Sequence, residues 1–422
     1  MGLITRKILS LVKTIEKIFA ISKINFFLLF VPVGYIVHFY TNNDTLVFVT
    51  NFLAIVPAKR LLEIAAKGLP YYHKFHHSGL LIYTFANVIE FIVAIIALMK
   101  GEIRIVQASM LGIIFYNILF VLGSCFLFGG VTTFIKSEGR QIEQKFSPTA
   151  SQMSSSLMTL ACITLILPTA LYSLINRTFH FSHETNTINV DDKILHISYG
   201  MSLALLAVYA LYLCFQLKTH KSLFANVEDS EHENKGKREA KSEDLESGEQ
   251  GHENTVNREQ GHENKESGEQ IDETEEEKEI HIGPKMSFIL LISTMVMIYF
   301  SAEFLVGSIE GIVKSLEISE TFIGLILIPI LGNFAEHIHS TTIAMKDNMT
   351  LAIGITVGCS TQVALFITPI LVILGWIIGQ PMSLLFSPFE AICLFIAVLL
   401  KNQLIQLLIM HSKHIKFKLF SN

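Results

Sequence analysis

Charge is scarce in this sequence. Only 16% of its 422 residues are Asp, Glu, Lys or Arg, against 51% hydrophobic, and the mean hydropathy is +0.49. A water-soluble domain of this length could not hide so much apolar surface, which leaves a chain that crosses a membrane several times. Cysteine is also scarce. Cys125, Cys162, Cys214, Cys359 and Cys393 all fall in apolar stretches without metal-ligand spacing or pairing logic. That excludes a disulfide scaffold or thiolate metal centre, and they read as small residues facing lipid or core. Residues 1–24 lack the apolar centre of a cleavable signal; they form a basic amphipathic stretch carrying Arg6, Lys7, Lys13, Lys17 and Lys23. Arg6 stands where a myristoylation signal after Gly2 needs Ser or Thr. No paired catalytic Asp, Ser/His constellation or His-Glu-x-x-His string is present, so the chain does not read as an enzyme.

The charge that exists is unevenly placed. Residues 225–280 hold 20 acidic and 7 basic residues, while the rest of the chain is net basic. This segment has no hydrophobic period and is expected to be largely disordered, a solvated tether between two membrane halves. Within it Glu249-Gln250-Gly251-His252-Glu253-Asn254 recurs ten residues later at Glu259 to Asn264. A sharper alternative is a loose cation buffer around Asp272 to Glu279, without the spacing of an EF-hand.

Apolar runs predict ten spans, near 26–41, 46–66, 80–99, 103–127, 154–175, 193–216, 286–305, 319–345, 350–376 and 384–400. The second is interrupted by Pro57, Arg60 and Glu63, so its end should snorkel or lie near the interface. The predicted organisation is 1–44 as basic N-terminus and first span, 45–217 and 286–400 as two membrane units, 218–285 as the acidic linker and 401–422 as a basic tail. With the N-terminus cytosolic, the basic loops 67–79 and 131–153, the linker and the tail fall on the same side, as the positive-inside rule requires. The glycosylation triplets at Asn43 and Asn176 then lie opposite, and the one at Asn348 falls in a cytosolic turn.

A carboxylate in the middle of an apolar run is costly and usually faces a polar cavity. Glu336 is such a residue, in Gly332-Asn333-Phe334-Ala335-Glu336-His337, and Glu90 is another, in Ala86-Asn87-Val88-Ile89-Glu90. Shifting the chain by 246 positions superposes Asn87 on Asn333, Glu90 on Glu336, Met99-Lys100 on Met345-Lys346 and Gly112 on Gly358 without a gap. Five spans lie within that shift, an odd number, so the second copy enters the membrane from the opposite side. This is an inverted repeat, the architecture of many secondary transporters, with the site at the midplane between halves. Asn and Glu three apart share a helical face. Pro329 and Gly332 suit a helix break that would turn backbone carbonyls toward the site. Two carboxylates with amide and carbonyl oxygens make a hard-oxygen site of formal charge −2, suited to Ca2+, and protons can compete for the same carboxylates. His337 reads either as a proton relay beside Glu336 or as a satisfied polar residue between helices.

The residues from Ile318-Ser319-Glu320 to Trp376 resemble the cation exchanger type of Ca2+/H+ antiporters, within the Ca2+/cation antiporter superfamily. The match runs through Phe322 to Leu327, Pro329-Ile330, Gly332-Asn333, Glu336-His337, Leu351 to Gly354 and Gln362 to Pro369. In the first half it runs through Asn87, Glu90, Arg104 to Ser109, Asn117, Leu122-Gly123 and Phe128 to Gly130. The resemblance implies an all-helical sodium/calcium exchanger-like fold, with two inverted repeats of five spans in a family that has eleven. It implies loading of Ca2+, or another divalent such as Mn2+, into a vacuole or other acidic organelle in exchange for protons. Glu90 and Glu336 would bind the ion, Asn87, Asn333, Asn117 and Gln362 would assist, and His337 would bear on proton coupling. No resident cofactor is expected, nor a nucleic-acid partner; Ca2+, H+ and the bilayer are the partners, and homo-oligomerisation is left open. Where the family reads Gly-Asn-Ala-Thr-Glu, this chain has Ala86, Val88 and Ile89, and bulky Ile113 and Tyr116 stand where serines are usual. These departures motivate an alternative, a transport-impaired relative acting as a regulatory or partner subunit.

Overall fold

The structure is a computed structural model that describes residues 23–67, 69, 87–136, 148–181, 190–219 and 283–420. The basic N-terminal stretch to residue 22, Ala86 and the acidic segment at 225–280 lie outside the described residues. Among the described residues every regular element is helical and no strand occurs. The elements are α1 (Phe30–Tyr40), α2 (Asp44–Ile55), α3 (Ala58–Lys67), α4 (Val88–Met99), α5 (Ile103–Phe115), α6 (Leu122–Lys136), α7 (Pro148–Phe181) and α8 (Val190–Cys214). Beyond the linker follow α9 (Pro284–Gly307), α10 (Ile309–Leu316), α11 (Ile328–Met345), α12 (Met349–Gln362), α13 (Thr368–Ile378) and α14 (Pro388–Phe420).

Eight described segments are long and apolar enough to cross a membrane, and Phe26–Tyr40 and Val88–Met99 are shorter apolar helices, at the positions of all ten expected spans. Three spans run further than the hydrophobic runs suggested. The fourth reaches Lys136, the seventh continues through α10 to Leu316, and the last extends to Leu408 inside a helix that runs unbroken to Phe420. Lys401, placed by sequence at the start of a basic tail, is therefore within this span and buried. The start of α14 is set by a capping box: the Glu390 backbone N–H donates to Ser387 Oγ (3.2 Å) and the Ser387 N–H to Glu390 Oε2 (3.0 Å). Glu390 also pairs with Arg104 of α5.

The repeat seen in the sequence is also a repeat of local geometry. Helices α4 and α11 end at Met99 and Met345, at the same register. Helix α5 widens into a π-turn at Tyr116–Val121, and α12 does so at Val363–Ile367, the 246-shifted positions of Asn117 to Val121. A third π-turn, Ile323–Leu327, precedes Pro329. Proline has no N–H to offer the carbonyl four residues back, so Pro329 leaves the Leu325 carbonyl free of its helical partner. That carbonyl lies against Gly112, where a Cβ would come within 2.3 Å of Leu325 O, and Gly324 lies against Ala108 in the same way. These glycines let α5 and the entry to α11 approach backbone to backbone at the centre of the bundle.

Helix α5 is the middle of the core: Ile105, Val106, Ala108, Met110, Leu111, Ile113 and Ile114 are all buried. Large apolar side chains such as Leu127, Phe128, Ile135, Phe288, Ile289 and Phe395 are exposed on the outside. An exposed apolar belt around a buried polar interior is what a lipid-facing surface requires.

Candidate cation site

Pro57 organises one wall of the site. It follows the end of α2 at Ile55, and a new helix, α3, begins at Ala58. The buried face of α2, with Phe48, Asn51 and Ile55, continues past Pro57 through Leu62 and Ala66 of α3, and Lys59 falls on that stripe. Its ammonium points inward. Lys59 Nζ donates to the Gly332 carbonyl at 2.9 Å and to Glu336 Oε2 at 2.9 Å, and it stands 3.8 Å from Glu90 Oε1. The side chains are 11%, 7% and 1% exposed respectively, so this is a buried ion triad with one positive and two negative members.

The two predicted glutamates are thus brought together, one from each repeat, around a single point. The expected formal charge of −2 becomes −1, because Lys59 was missed. The apolar stripe of Ala58, Leu62, Ala65 and Ala66 was the signal that could have found it, since Lys59 shares that face whereas Arg60 does not. The expected helix break is also displaced. Helix α11 runs unbroken through Pro329 and Gly332, and the irregular turn comes before it at Ile323–Leu327. Gly332 matters for another reason: a Cβ there would lie 2.3 Å from Glu90 Oε1, so only glycine lets that carboxylate press against α11.

Glu336 is fully engaged, because Cys359 Sγ donates to its Oε1 at 2.9 Å while Lys59 holds Oε2. Cys359, read from sequence as a small core-facing residue, is buried but belongs to the site. Both oxygens of Glu90 are buried without a hydrogen-bond partner among the described residues, as are Asn333 Oδ1 and Asn117 Nδ2. Orphaned buried polar atoms are rare, and a group of them calls for an explanation such as a ligand. Asn333 Nδ2 donates back to the Pro329 carbonyl at 3.0 Å. Asn87 Nδ2 donates to Gln362 Oε1 at 3.0 Å, and Gln362 Nε2 to the Tyr209 hydroxyl at 3.3 Å, so these two amides join the halves beside the triad.

His337 meets the π-turn of the first repeat. Its Nδ1 lies 3.1 Å from the Tyr116 hydroxyl, and its ring meets Phe120 edge-on. An open cavity of about 190 Å3 lies elsewhere, lined by His38, Asp44, Lys100, Glu303 and Ser308, and includes neither glutamate. Close to Lys100, between α4 and α5, burial raises the Glu102 carboxyl above its ordinary range, helped by the nearby Glu320 and Glu310. Among the described residues no three His, Cys, Asp or Glu side chains come together as a preformed metal cluster. The oxygens that could receive a cation are those now facing the Lys59 ammonium.

The Asn43 and Asn348 triplets have a structural use: each Asn Oδ1 accepts a backbone N–H three residues on, at 3.1 and 3.3 Å, capping α2 and α12.

A family model described as sodium/calcium exchanger protein matches residues 43–218 and 286–418. The vacuolar calcium ion transporter of Schizosaccharomyces pombe is 35% identical over 400 residues, covering 94% of this chain and 82% of its own. The Ca2+/H+ antiporter of Synechocystis is 33% identical over 382 residues, covering 89% of this chain and 88% of its own. Among solved structures, native YfkE superposes with a TM-score of 0.62 at 22% identity, over 90% of this chain and 91% of that one. The H+/Ca2+ exchanger CAX does so with 0.55 at 13% identity, over 96% and 94%. Two inverted repeats, a glutamate from each meeting at the centre, and a family match that takes in both repeats lead to one assignment: the chain is an integral membrane protein belonging to the sodium/calcium exchanger family.

Proposed function

We propose that this protein exchanges Ca2+ for protons across the membrane of an acidic organelle such as a vacuole, with Glu90 and Glu336 as the carboxylates that alternately hold the metal ion and protons. The observation that carries this reading is the meeting of those two glutamates around one cation, the Lys59 ammonium. Two carboxylates and a backbone carbonyl facing the same charge are hard-oxygen donors of the kind Ca2+ selects, and Mn2+ would accept them too. Asn87, Asn333, Asn117 and Gln362 would shape the polar wall, and His337 would bear on proton coupling. The names of the 30–35% identical relatives, calcium transporters and cation/proton exchangers, agree with it.

The test is proton-gradient-driven uptake of radiolabelled Ca2+ into vesicles carrying the protein. Uptake above that of empty vesicles, abolished by Glu90→Gln and by Glu336→Gln, is expected. Uptake no greater than in empty vesicles would instead favour a regulatory or partner role. That second reading has its own support: a resident ammonium lies between the glutamates, and Tyr116 stands where a serine is usual.

A further inference from the structure

The triad holds an ion that belongs to the chain itself. We propose that the Lys59 ammonium is a tethered competitor of the transported cation: it neutralises the glutamates when the site is empty of metal, must withdraw before a divalent ion is held, and so sets the apparent affinity for that ion. This rests on the reading of Glu90 and Glu336 as the metal-binding carboxylates.

Three observations carry it. Lys59 Nζ touches the donors a metal ion would use, at 2.9 Å from both Glu336 Oε2 and the Gly332 carbonyl. The triad is buried, so water screens little of the repulsion between an ammonium and an entering divalent ion. Finally, the engagement is lopsided: Lys59 sits 3.8 Å from Glu90, whose two oxygens have no hydrogen-bond partner among the described residues, leaving one carboxylate ready for an incoming cation. Withdrawal needs only the side chain to move, because the Lys59 ammonium ends a flexible four-carbon stem that starts in the first turn of α3.

An arriving divalent ion thus displaces a monovalent one, and the ammonium returns when the ion leaves. In a site of fixed charge −2 the metal would bind more tightly and leave more slowly. Lys59 trades affinity for release, which a carrier that must unload into a Ca2+-rich compartment needs.

The test is equilibrium binding of radiolabelled Ca2+ to purified protein in nanodiscs at neutral pH, for wild type, Lys59→Met and Lys59→Arg. Removing a buried like charge from beside the metal is expected to tighten binding by about tenfold or more in Lys59→Met. Lys59→Arg, which keeps the charge, should bind no more tightly than wild type. If Lys59→Met cannot be purified folded, Lys59→Gln carries the same expectation. Equal or weaker binding in the neutral variants overturns the proposal, and so does tightening in Lys59→Arg, because the charge would then not be the cause. Vesicle uptake keeps the two readings apart. Wild-type uptake with no gain in Lys59→Met binding sinks this inference alone; tighter binding in Lys59→Met without wild-type uptake sinks the exchanger reading alone.

Discussion

Glu90 and Glu336 stand at the same register of the two repeats, yet they keep different company. Glu336 accepts from Lys59 and from the Cys359 thiol, one donor on each oxygen. Glu90 meets the same lysine only at 3.8 Å and is otherwise pressed against Gly332, with neither oxygen hydrogen-bonded among the described residues. The inverted repeat fixes where the carboxylates are; the residues that differ between repeats fix what each can do. The position equivalent to Cys359 in the first repeat is Ile113, which has no donor to offer, and Lys59 comes from the first repeat and, of the two glutamates, hydrogen-bonds only the second repeat's. One carboxylate is anchored and the other is available.

The largest effect expected from this asymmetry is on stability. Glu336→Gln leaves a buried ammonium without its close partner, a kind of change that costs about 3–5 kcal/mol. Glu90→Gln removes a carboxylate that has no close donor and leaves the Lys59–Glu336 pair intact, so it should cost far less. Thermal unfolding of the two purified variants without Ca2+ measures the difference, even though both should lose transport. Equal losses of stability would mean that the lysine is shared evenly and the comparison fails.

A smaller and purely functional effect is expected at Gly332. A methyl group there would collide with the end of the Glu90 side chain, not with backbone, so the protein should fold while the carboxylate is pushed aside. Misplacing a binding group by about 1 Å can cost on the order of a hundredfold in rate. Gly332→Ala should therefore depress Ca2+ uptake at low Ca2+ strongly while leaving the melting temperature near wild type. Unchanged uptake would show that Glu90 does not need its place against α11.

The same contrast explains what could be read from the sequence. The ten spans, the inverted repeat and the two glutamates were legible because each rests on a pattern that survives translation along a helix: apolar length, a fixed shift, and charge where lipid forbids it. Lys59 was not seen, because Pro57, Arg60 and Glu63 around it read as the interfacial end of a span, although the buried face of α2 runs on through it to Leu62 and Ala66. Cys359 looked inert for a related reason: a thiol in an apolar run gains a role only from the carboxylate that a different helix brings to it. The π-turns are invisible to periodicity altogether, though Pro329 and Pro369 each follow one by two residues, and the carbonyl a proline leaves unbonded hints at where the helix widens. The end of the last span was misjudged because Lys401 reads as an interfacial charge, whereas it is buried within the bundle.

The smallest effect concerns a second pair of equivalent positions, Tyr116 and Gln362. Both reach across to the other repeat: Tyr116 to His337, and Gln362 to Asn87. The amide pair is buried, while His337 is only half-buried. A hydrogen bond of that kind is worth about 1 kcal/mol or less, so Tyr116→Phe should lower the melting temperature slightly and keep Ca2+ uptake. Asn87→Ala, which removes a buried amide–amide hydrogen bond between the repeats, should cost more in the same measurement. If Tyr116→Phe instead abolished uptake while the protein stayed folded, the phenol would have to act on the transported proton through His337, and the two halves of the interface would differ in function as well as in burial.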